Sequence, residues 1–472
     1  MDKKRLVFLL LGPALFALCA AFLPADIFPA FSARAALGTV VWMALWWIAA
    51  PVDYAVTALL PIVVNAVFSI TDMEPVIAQY ASETILLLLG ASIISVSWEE
   101  TGLDRRIATC CLTLIGSSLA GQLVFWFLFS ALMSAFLPNA VVAATLTPIA
   151  VSMLRFAGQE DVADSPSASI ILMTIAWGAG IGGLATPLGG AMNLTVIRYI
   201  EQVTGEEFLY SVWVVRFAPV MLVLLASNLG YLLLIRPRGA RLPGTRAYFQ
   251  AERRKLGRMS GAEIVSLVLF LAATGLSFAR SLYASLLPGL KPAYVFLLCG
   301  ILTFLPKKAG GGRMMSWNST QKKIVWGLMY VFAGGLALGR LITGSGADAM
   351  IGEAIGRSAL SGGFGLCLLL VTVTLVLSDV TSNTATAAVC MPIVVSVTAG
   401  LGLNPIPYIY AATIGVNLSY CLPTSIRAVP VGYGLPPRYM LRRGLPLSAA
   451  MIVLMGALSW ALMRWWPAFS LA

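Results

Sequence analysis

Histidine is absent from this chain of 472 residues. Every mechanism that needs an imidazole as base, metal ligand or proton relay is thereby excluded. Charge is scarce as well: Asp, Glu, Lys and Arg make up 11% of the residues, against roughly 25% in soluble domains. A water-soluble enzyme of this length is ruled out. The seven cysteines (Cys19, Cys110, Cys111, Cys299, Cys367, Cys390 and Cys421) lie in or beside apolar runs without metal spacing, so neither a zinc site nor a disulfide framework is indicated. What fills the space left by charge is apolar: 59% hydrophobic residues and a mean hydropathy of +0.89. Over this length that means many membrane spans rather than one large core. The expected fold class is an all-α polytopic membrane protein.

The net charge of +11 has a topological origin. Of the 31 Lys and Arg residues, 22 fall in blocks between apolar runs: Lys3–Arg5, Arg105–Arg106, Arg155, 236–258, 307–323 and 438–443. The positive-inside rule produces such clustering, and no nucleic acid or other polyanionic partner is needed. The run after Lys3–Arg5 is long enough to span and reads as an uncleaved first helix, with the N-terminus in the cytoplasm, rather than as a signal peptide. Spans are expected near 6–23, 36–50, 53–70, 84–100, 167–200, 209–235, 263–283, 293–305, 324–343, 405–434 and 446–466, about 11 in all. Runs at about 119–154 and 363–400 are too long for one helix and carry polar interruptions. Each reads as two half-length helices joined at a polar tip, a re-entrant hairpin.

The halves repeat each other. A shift of 244 residues superposes Gly90 on Gly334, Gly102 on Gly346 and Asp104 on Asp348; within 134–152 it matches 8 of 19 positions, Asn139 with Asn383 and Pro148 with Pro392 among them. Roughly two matches are expected from composition alone. The expected organisation is an N-terminal helix (1–35), a first repeat (36–235), a cytoplasmic linker (236–262) and a second repeat (263–472). The repeats have opposite orientation, and broken helices lie near 167–200 and 405–434. An inverted repeat with broken helices at matching positions indicates a secondary transporter.

The second hairpin tip runs Ser378-Asp379-Val380-Thr381-Ser382-Asn383-Thr384. Hydroxyls and an amide at a helix break present oxygens to a hard cation, while the N–H groups of the following half-helix face an anion. The alternative is a Ser/Thr-rich helix bonding back to its own carbonyls. The first tip, Ser134 to Ala140, keeps the amide, Asn139, between Pro138 and Ala140. Behind each hairpin comes an interrupted span, Gly182 to Asn193 and Leu422 to Pro430, where Gly and Pro free carbonyls to line a site. Asp379 and Arg427 are ionisable residues inside membrane segments and functional by default. They form a structural ion pair, or Arg427 holds a substrate carboxylate or a cation position while Asp379 balances charge. Glu99 and Glu100, at an inner helix end, read as solvated.

With Ser382-Asn383-Thr384, Pro392, the Gly182–Asn193 segment and Leu422-Pro423 in place, the chain resembles the divalent anion/sodium symporter family, carriers of dicarboxylates, citrate and sulfate. The resemblance covers most of the chain. It implies that the two tips grip the acidic groups of the substrate, that each tip and its neighbouring broken helix hold a sodium ion, and that homodimers work as elevators. Carried onto this sequence, the substrate residues are Asn139, Thr186, Pro187, Asn193, Ser382, Asn383, Thr384, Thr424 and Ser425, to which the intramembrane charge of Arg427 adds a tenth. The sodium residues are Ser134, Asn139 and Gly183 on one side, and Ser378, Asn383 and Cys421 on the other. Two departures stand out. Pro138-Asn139-Ala140 replaces the first Ser-Asn-Thr, which weakens the first sodium site, and Ile426-Arg427-Ala428-Val429 stands where the family has Thr-Pro-Pro-Asn.

The function expected is secondary transport of small divalent anions, C4-dicarboxylates first, in a bacterial-type inner membrane. Sodium-coupled symport is the leading mode. A sodium-independent anion exchanger, or an oxyanion carrier, with Arg427 in place of a cation is the alternative. No cofactor is expected beyond sodium as coupling ion. An intramembrane enzyme lacks a nucleophile–base pair; an anion channel is harder to exclude by sequence, though the paired tips suggest an occluding site.

Overall fold

The computed structural model describes residues 3–159, 163–307, 311–356 and 361–471. Among them every regular element is helical, and the only strand-like pairings are isolated bridges, Ser118 with Arg241 and Lys307 with Arg313. Nine helices among the described residues are long and apolar enough to cross a membrane, and several shorter apolar helices accompany them. The exposed large apolar side chains, Phe22, Leu222, Leu234 and Leu282 among them, belong on such a protein against lipid. It is a multi-pass membrane protein.

Local sequence sets the helix starts. Ser165 and Asn404 accept hydrogen bonds from the Ala168 and Ile406 N–H groups, and Pro166 and Pro405 open the helices that follow. Proline at a first helical position forfeits no hydrogen bond, and a polar cap satisfies an orphan donor. Hairpin 1 has arms Leu119–Ser134 and Asn139–Phe156; hairpin 2 has arms Phe364–Val380 and Asn383–Gly400. The first broken helix comprises Pro166–Gly182 and Ala191–Thr204. The second comprises Pro405–Asn417, an extended stretch, a 3-10 turn Ser425–Arg427 and Ala428–Gly432.

The helices form two packed groups. Both hairpins, both broken helices, Tyr210–Ile235 and Pro437–Trp465 make a core group. Lys3–Phe22, Phe31–Ala49, Tyr54–Thr57, Glu83–Thr101, Pro292–Leu302 and Trp326–Gly344 make a frame. The two meet where Trp326–Gly344 packs on Asn383–Gly400 and on Ala191–Thr204. Gly335 there leaves room for Ala388 and Gly339 for the Tyr199 hydroxyl; a Cβ at either would collide.

Several expectations need correction. The second helix begins at Phe31 rather than at 36. The linker contains a helix, Thr245–Lys255, and Arg106 ties the segment down. Its guanidinium donates to the carbonyls of Leu256, Gly257 and Arg258 and pairs with Glu263 at 2.5 Å. Glu99 and Glu100 are not merely solvated; both pair with Lys323, at 2.7 and 2.9 Å. Finally, the second broken helix ends its first half at Asn417, with Leu418 extended, five residues before Pro423-containing Leu422–Pro430 was expected to interrupt it.

Candidate substrate and cation site

Positions 244 residues apart in the two hairpins make equivalent contacts. Ser134, the last residue of its arm, donates to the Ala179 carbonyl at 2.6 Å; its equivalent, Ser378, lies 2.7 Å from the Val416 carbonyl. One turn earlier, a Cβ on Gly178 would meet Ser130 and the Phe127 carbonyl, and a Cβ on Gly415 would meet Thr374 and the Val371 carbonyl. Ser130 and Thr374, like Phe127 and Val371, are again related by 244 residues. In the helix behind, the match slips by seven residues, to 237 (Gly178 to Gly415, Ala179 to Val416). The connection 157–165 is longer than 401–404, which accounts for most of the slip.

Each hairpin tip is latched to its broken helix by a threonine. The Thr186 hydroxyl donates to the Ala135 carbonyl, and the Thr424 hydroxyl donates to the Asp379 carbonyl at 2.9 Å. In each broken helix a side chain from the later part turns back to satisfy freed carbonyls. Asn193 does so in the first, donating to Gly183 O at 2.7 Å and Thr186 O at 2.9 Å. Arg427 does so in the second, donating from Nε to Leu422 O at 2.8 Å and from Nη1 to Ser419 O at 3.2 Å. Buried carbonyls need such partners, and an unwound span creates several at once.

The repeats differ in charge at this point. By the two registers, Asp379 stands where the first repeat has Ala135, and Arg427 where it has Gly190. Arg427 is 1% exposed. Beyond the two carbonyls of its own segment it reaches Thr424 Oγ1 at 2.6 Å, the Ser419 hydroxyl, and the Ser378 carbonyl at 3.4 Å across in hairpin 2. Asp379 lies 3.9 Å from its Nη2, and the same carboxylate oxygen accepts the backbone N–H groups of Tyr420 and Cys421, both at 2.9 Å. The guanidinium thus fills a cradle of three carbonyls and two hydroxyls, with a carboxylate at its rim. That is the kind of oxygen shell a hard cation takes.

Three polar groups at the hairpin tips are left without an internal partner among the described residues. Asn383 is pinned through Oδ1, which accepts from Ser378 at 2.9 Å and from Ser419 at 3.2 Å. Its Nδ2 has no hydrogen bond among the described residues and remains a free donor. Asn139 is half-buried at the first tip, and its side chain makes no hydrogen bond among the described residues. The Thr384 hydroxyl is likewise without a hydrogen bond there. Both second arms begin at these asparagines, so two helix N-termini add their partial positive charge.

The remaining residues singled out by sequence are occupied internally. Ser382 caps its helix by accepting from Ala385 N at 3.1 Å. Pro187 is buried in the turn. Cys421 places its thiol 3.3 Å from Ser448 Oγ and contributes its N–H to Asp379. The Ser425 side chain lies outside the described residues. Two residues that the sequence reading missed belong to the network. Ser419 couples Asn383 to Arg427, and Asn417 donates to Asn193 Oδ1 at 3.3 Å, joining the two broken helices. The Gly415 contact with hairpin 2, once the seven-residue slip is applied, is the signal that would have marked them.

Two helix breaks, each latched to a hairpin tip, thus meet in one buried polar network. The chain belongs to the citrate transporter family (CitMHS), which matches residues 44–415, a transporter family of the divalent anion/sodium symporter type rather than a family of enzymes. It is 27% identical over 446 residues to the sodium-dependent dicarboxylate transporter SdcS of Staphylococcus saprophyticus, covering 91% of this chain and 86% of that one. Its identity to SdcS of Staphylococcus aureus is 28% over 448 residues, 91% and 85% of the two chains. In fold it is similar to the crystal structure of the Alcanivorax borkumensis YdaH transporter: TM-score 0.55, 12% identity, 91% of this chain and 99% of that one.

Proposed function

We propose that this protein carries C4-dicarboxylate dianions across the inner membrane, that Arg427 is the built-in cation of its second-repeat side, and that it works by exchanging anions. The observation that carries the reading is the guanidinium seated among the carbonyls of Ser378, Ser419 and Leu422. A sodium ion cannot share those oxygens with five N–H donors. The relatives named as dicarboxylate transporters support the substrate class. In the recognition step, Asn383 Nδ2, Asn139, Thr384 and the two helix N-termini donate to the carboxylates. Arg427 is enclosed and acts through its field and through Ser419.

Charge then decides the mode. Asp379 offsets Arg427 within the site, so a dianion carried with at most one sodium moves net negative charge. Each such charge entering a negative-inside cell costs roughly 2.3 kcal/mol per 100 mV. A one-for-one swap of dianions moves none. Elevator movement of the core group against the frame, in a homodimer with a cytoplasmic N-terminus, completes the proposal.

A second reading, coupling to a single sodium at Ser134, Asn139 and Gly183, is favoured by the unpartnered Asn139 amide and by the sodium dependence of the named relatives. Ser134 Oγ, which donates its proton to Ala179, keeps its lone pairs, and the Gly183 carbonyl keeps one beside its bond from Asn193. Succinate uptake into proteoliposomes, loaded or empty, with sodium or potassium outside, separates the readings. Exchange predicts uptake into loaded vesicles in either salt. Single-sodium coupling predicts uptake into empty vesicles that rises with sodium at a Hill slope of one.

A further inference from the structure

One crevice has no share in the network of the hairpin tips. Between the frame and hairpin 2 is a crevice of about 300 Å³, and its walls come from both helix groups. Cys19 on the first helix, Leu23 just past its end, Leu37 and Val41 on Phe31–Ala49, and Ile342 on Trp326–Gly344 form one side; Pro392, Ile393 and Ser396 of hairpin 2 form the other. Its surface is almost wholly carbon. The one hydroxyl on the hairpin wall, on Ser396, turns back to the Pro392 carbonyl at 2.9 Å. Nothing in the crevice serves a dicarboxylate.

Two observations say what does fit. Val41, in the wall, is 37% exposed, and Phe31, earlier on the same helix, 45%, so the crevice lies beside an apolar surface suited to lipid. Arg34, in the first turn of Phe31–Ala49, precedes Leu37 and Val41 by three and seven residues and so shares their helix face. Its Nε is buried and has no hydrogen-bond partner among the described residues. From Arg34 to Val41 the helix rises roughly 10 Å. A cation therefore sits at the helix end, where headgroups lie, and an apolar slot runs inward from it. That pairing is complementary to an amphipathic anion.

We propose that this crevice binds a membrane phospholipid with an anionic headgroup, its phosphate on Arg34 and one acyl chain between Leu37, Val41, Ile342 and Ile393. Because Ile393 and Ser396 belong to the same helix as Asn383, the bound chain rests against the element that carries the substrate donor. The lipid thereby bridges the two groups whose relative movement transport requires.

The test uses the full chain, delipidated in detergent and titrated with phosphatidylglycerol or phosphatidylcholine under native mass spectrometry. Wild type should bind one phosphatidylglycerol per chain at least tenfold tighter than phosphatidylcholine. Arg34→Gln should abolish the preference while retaining binding of both lipids. Ser396→Phe and, from the opposite wall, Val41→Trp should abolish tight binding of either lipid; two crevice-filling variants guard against a folding defect in one. Equal lipid affinity in wild type and all three variants would overturn the proposal. So would competition by water-soluble glycerophosphate as effective as the lipid's own, which would leave the crevice no part. Disulfide cross-linking of Val41→Cys between chains would show that a second copy covers this face, and the proposal would fail.

Discussion

If the exchange proposed above is right, replacing Arg427 by alanine should make transport depend on sodium. The guanidinium satisfies the Leu422 and Ser419 carbonyls, the Ser419 and Thr424 hydroxyls and, at 3.4 Å, the Ser378 carbonyl. Removing it strands these acceptors and leaves the Asp379 carboxylate facing an empty cradle. Breaking a buried ion pair from one side costs about 3–5 kcal/mol. Asp379 retains its two backbone N–H donors, so the lower end applies, about 3 kcal/mol. At 1.4 kcal/mol per tenfold, that is a loss of roughly a hundredfold in the population of the competent site. A small hard cation can restore it, because the vacated shell is all oxygen. The assay is exchange of labelled succinate in proteoliposomes preloaded with unlabelled succinate, in potassium or in sodium. Arg427→Ala should be nearly inactive in potassium and regain at least tenfold in sodium. Arg427→Lys, which keeps a charge but loses the fork geometry, should stay sodium-indifferent with reduced exchange. If Arg427→Ala exchanges like wild type in potassium, the guanidinium is not the cation of this site.

Other consequences are narrower. Asn383→Ala and Asn139→Ala should each weaken dicarboxylate binding by about 1.5–3 kcal/mol, the worth of a hydrogen bond to a charged group; competition binding would show it, and unchanged affinity in both would contradict the donor assignment. Gly415→Ala forces a methyl against Thr374 and the Val371 carbonyl. It should destabilise the protein by about 1–3 kcal/mol, seen as a lower melting temperature in detergent. Asn193→Leu removes the donors for Gly183 and Thr186 and the acceptor for Asn417. It should lower the melting temperature by the same measurement. Cysteines placed at Arg241 or Arg254, in a background without native cysteines, should resist an impermeant thiol reagent in intact cells; labelling there would reverse the topology.

Much of the architecture is legible in the sequence because bilayers admit few solutions. A span must be helical and apolar, so its pattern is loud. The hairpin tips were equally readable, since Asn139 and Asn383 interrupt apolar runs at matched positions. The break in the second broken helix was harder. Pro423 draws attention to itself, yet the helix ends at Asn417, because the break is set by what the freed carbonyls can find: Asp379 for the Tyr420 and Cys421 amides, Arg427 for the carbonyls. Those partners lie on other segments, and no local pattern announces them. Ser419 escaped notice for the same reason; a serine at a helix end is commonplace until its hydroxyl lies between Asn383 and Arg427. The Lys323 pairing of Glu99 and Glu100 is also a tertiary fact, joining helices more than two hundred residues apart. Arg427 itself was visible as a charge inside a span, but whether it faced substrate, Asp379 or the cradle depended on a fold that brings hairpin 2 against it.

The central claim, that a built-in guanidinium replaces a transported cation, is tested most directly by one uptake measurement on the wild-type protein. Labelled succinate is offered to proteoliposomes that contain unlabelled succinate or buffer alone, in sodium and in sodium-free potassium. Rapid uptake into the loaded vesicles, equal in the two salts and at least tenfold above that into empty vesicles, is the result expected. Uptake into empty vesicles that requires sodium, with a Hill slope of two or more, would mean that a second sodium enters where Arg427 sits, and would contradict it.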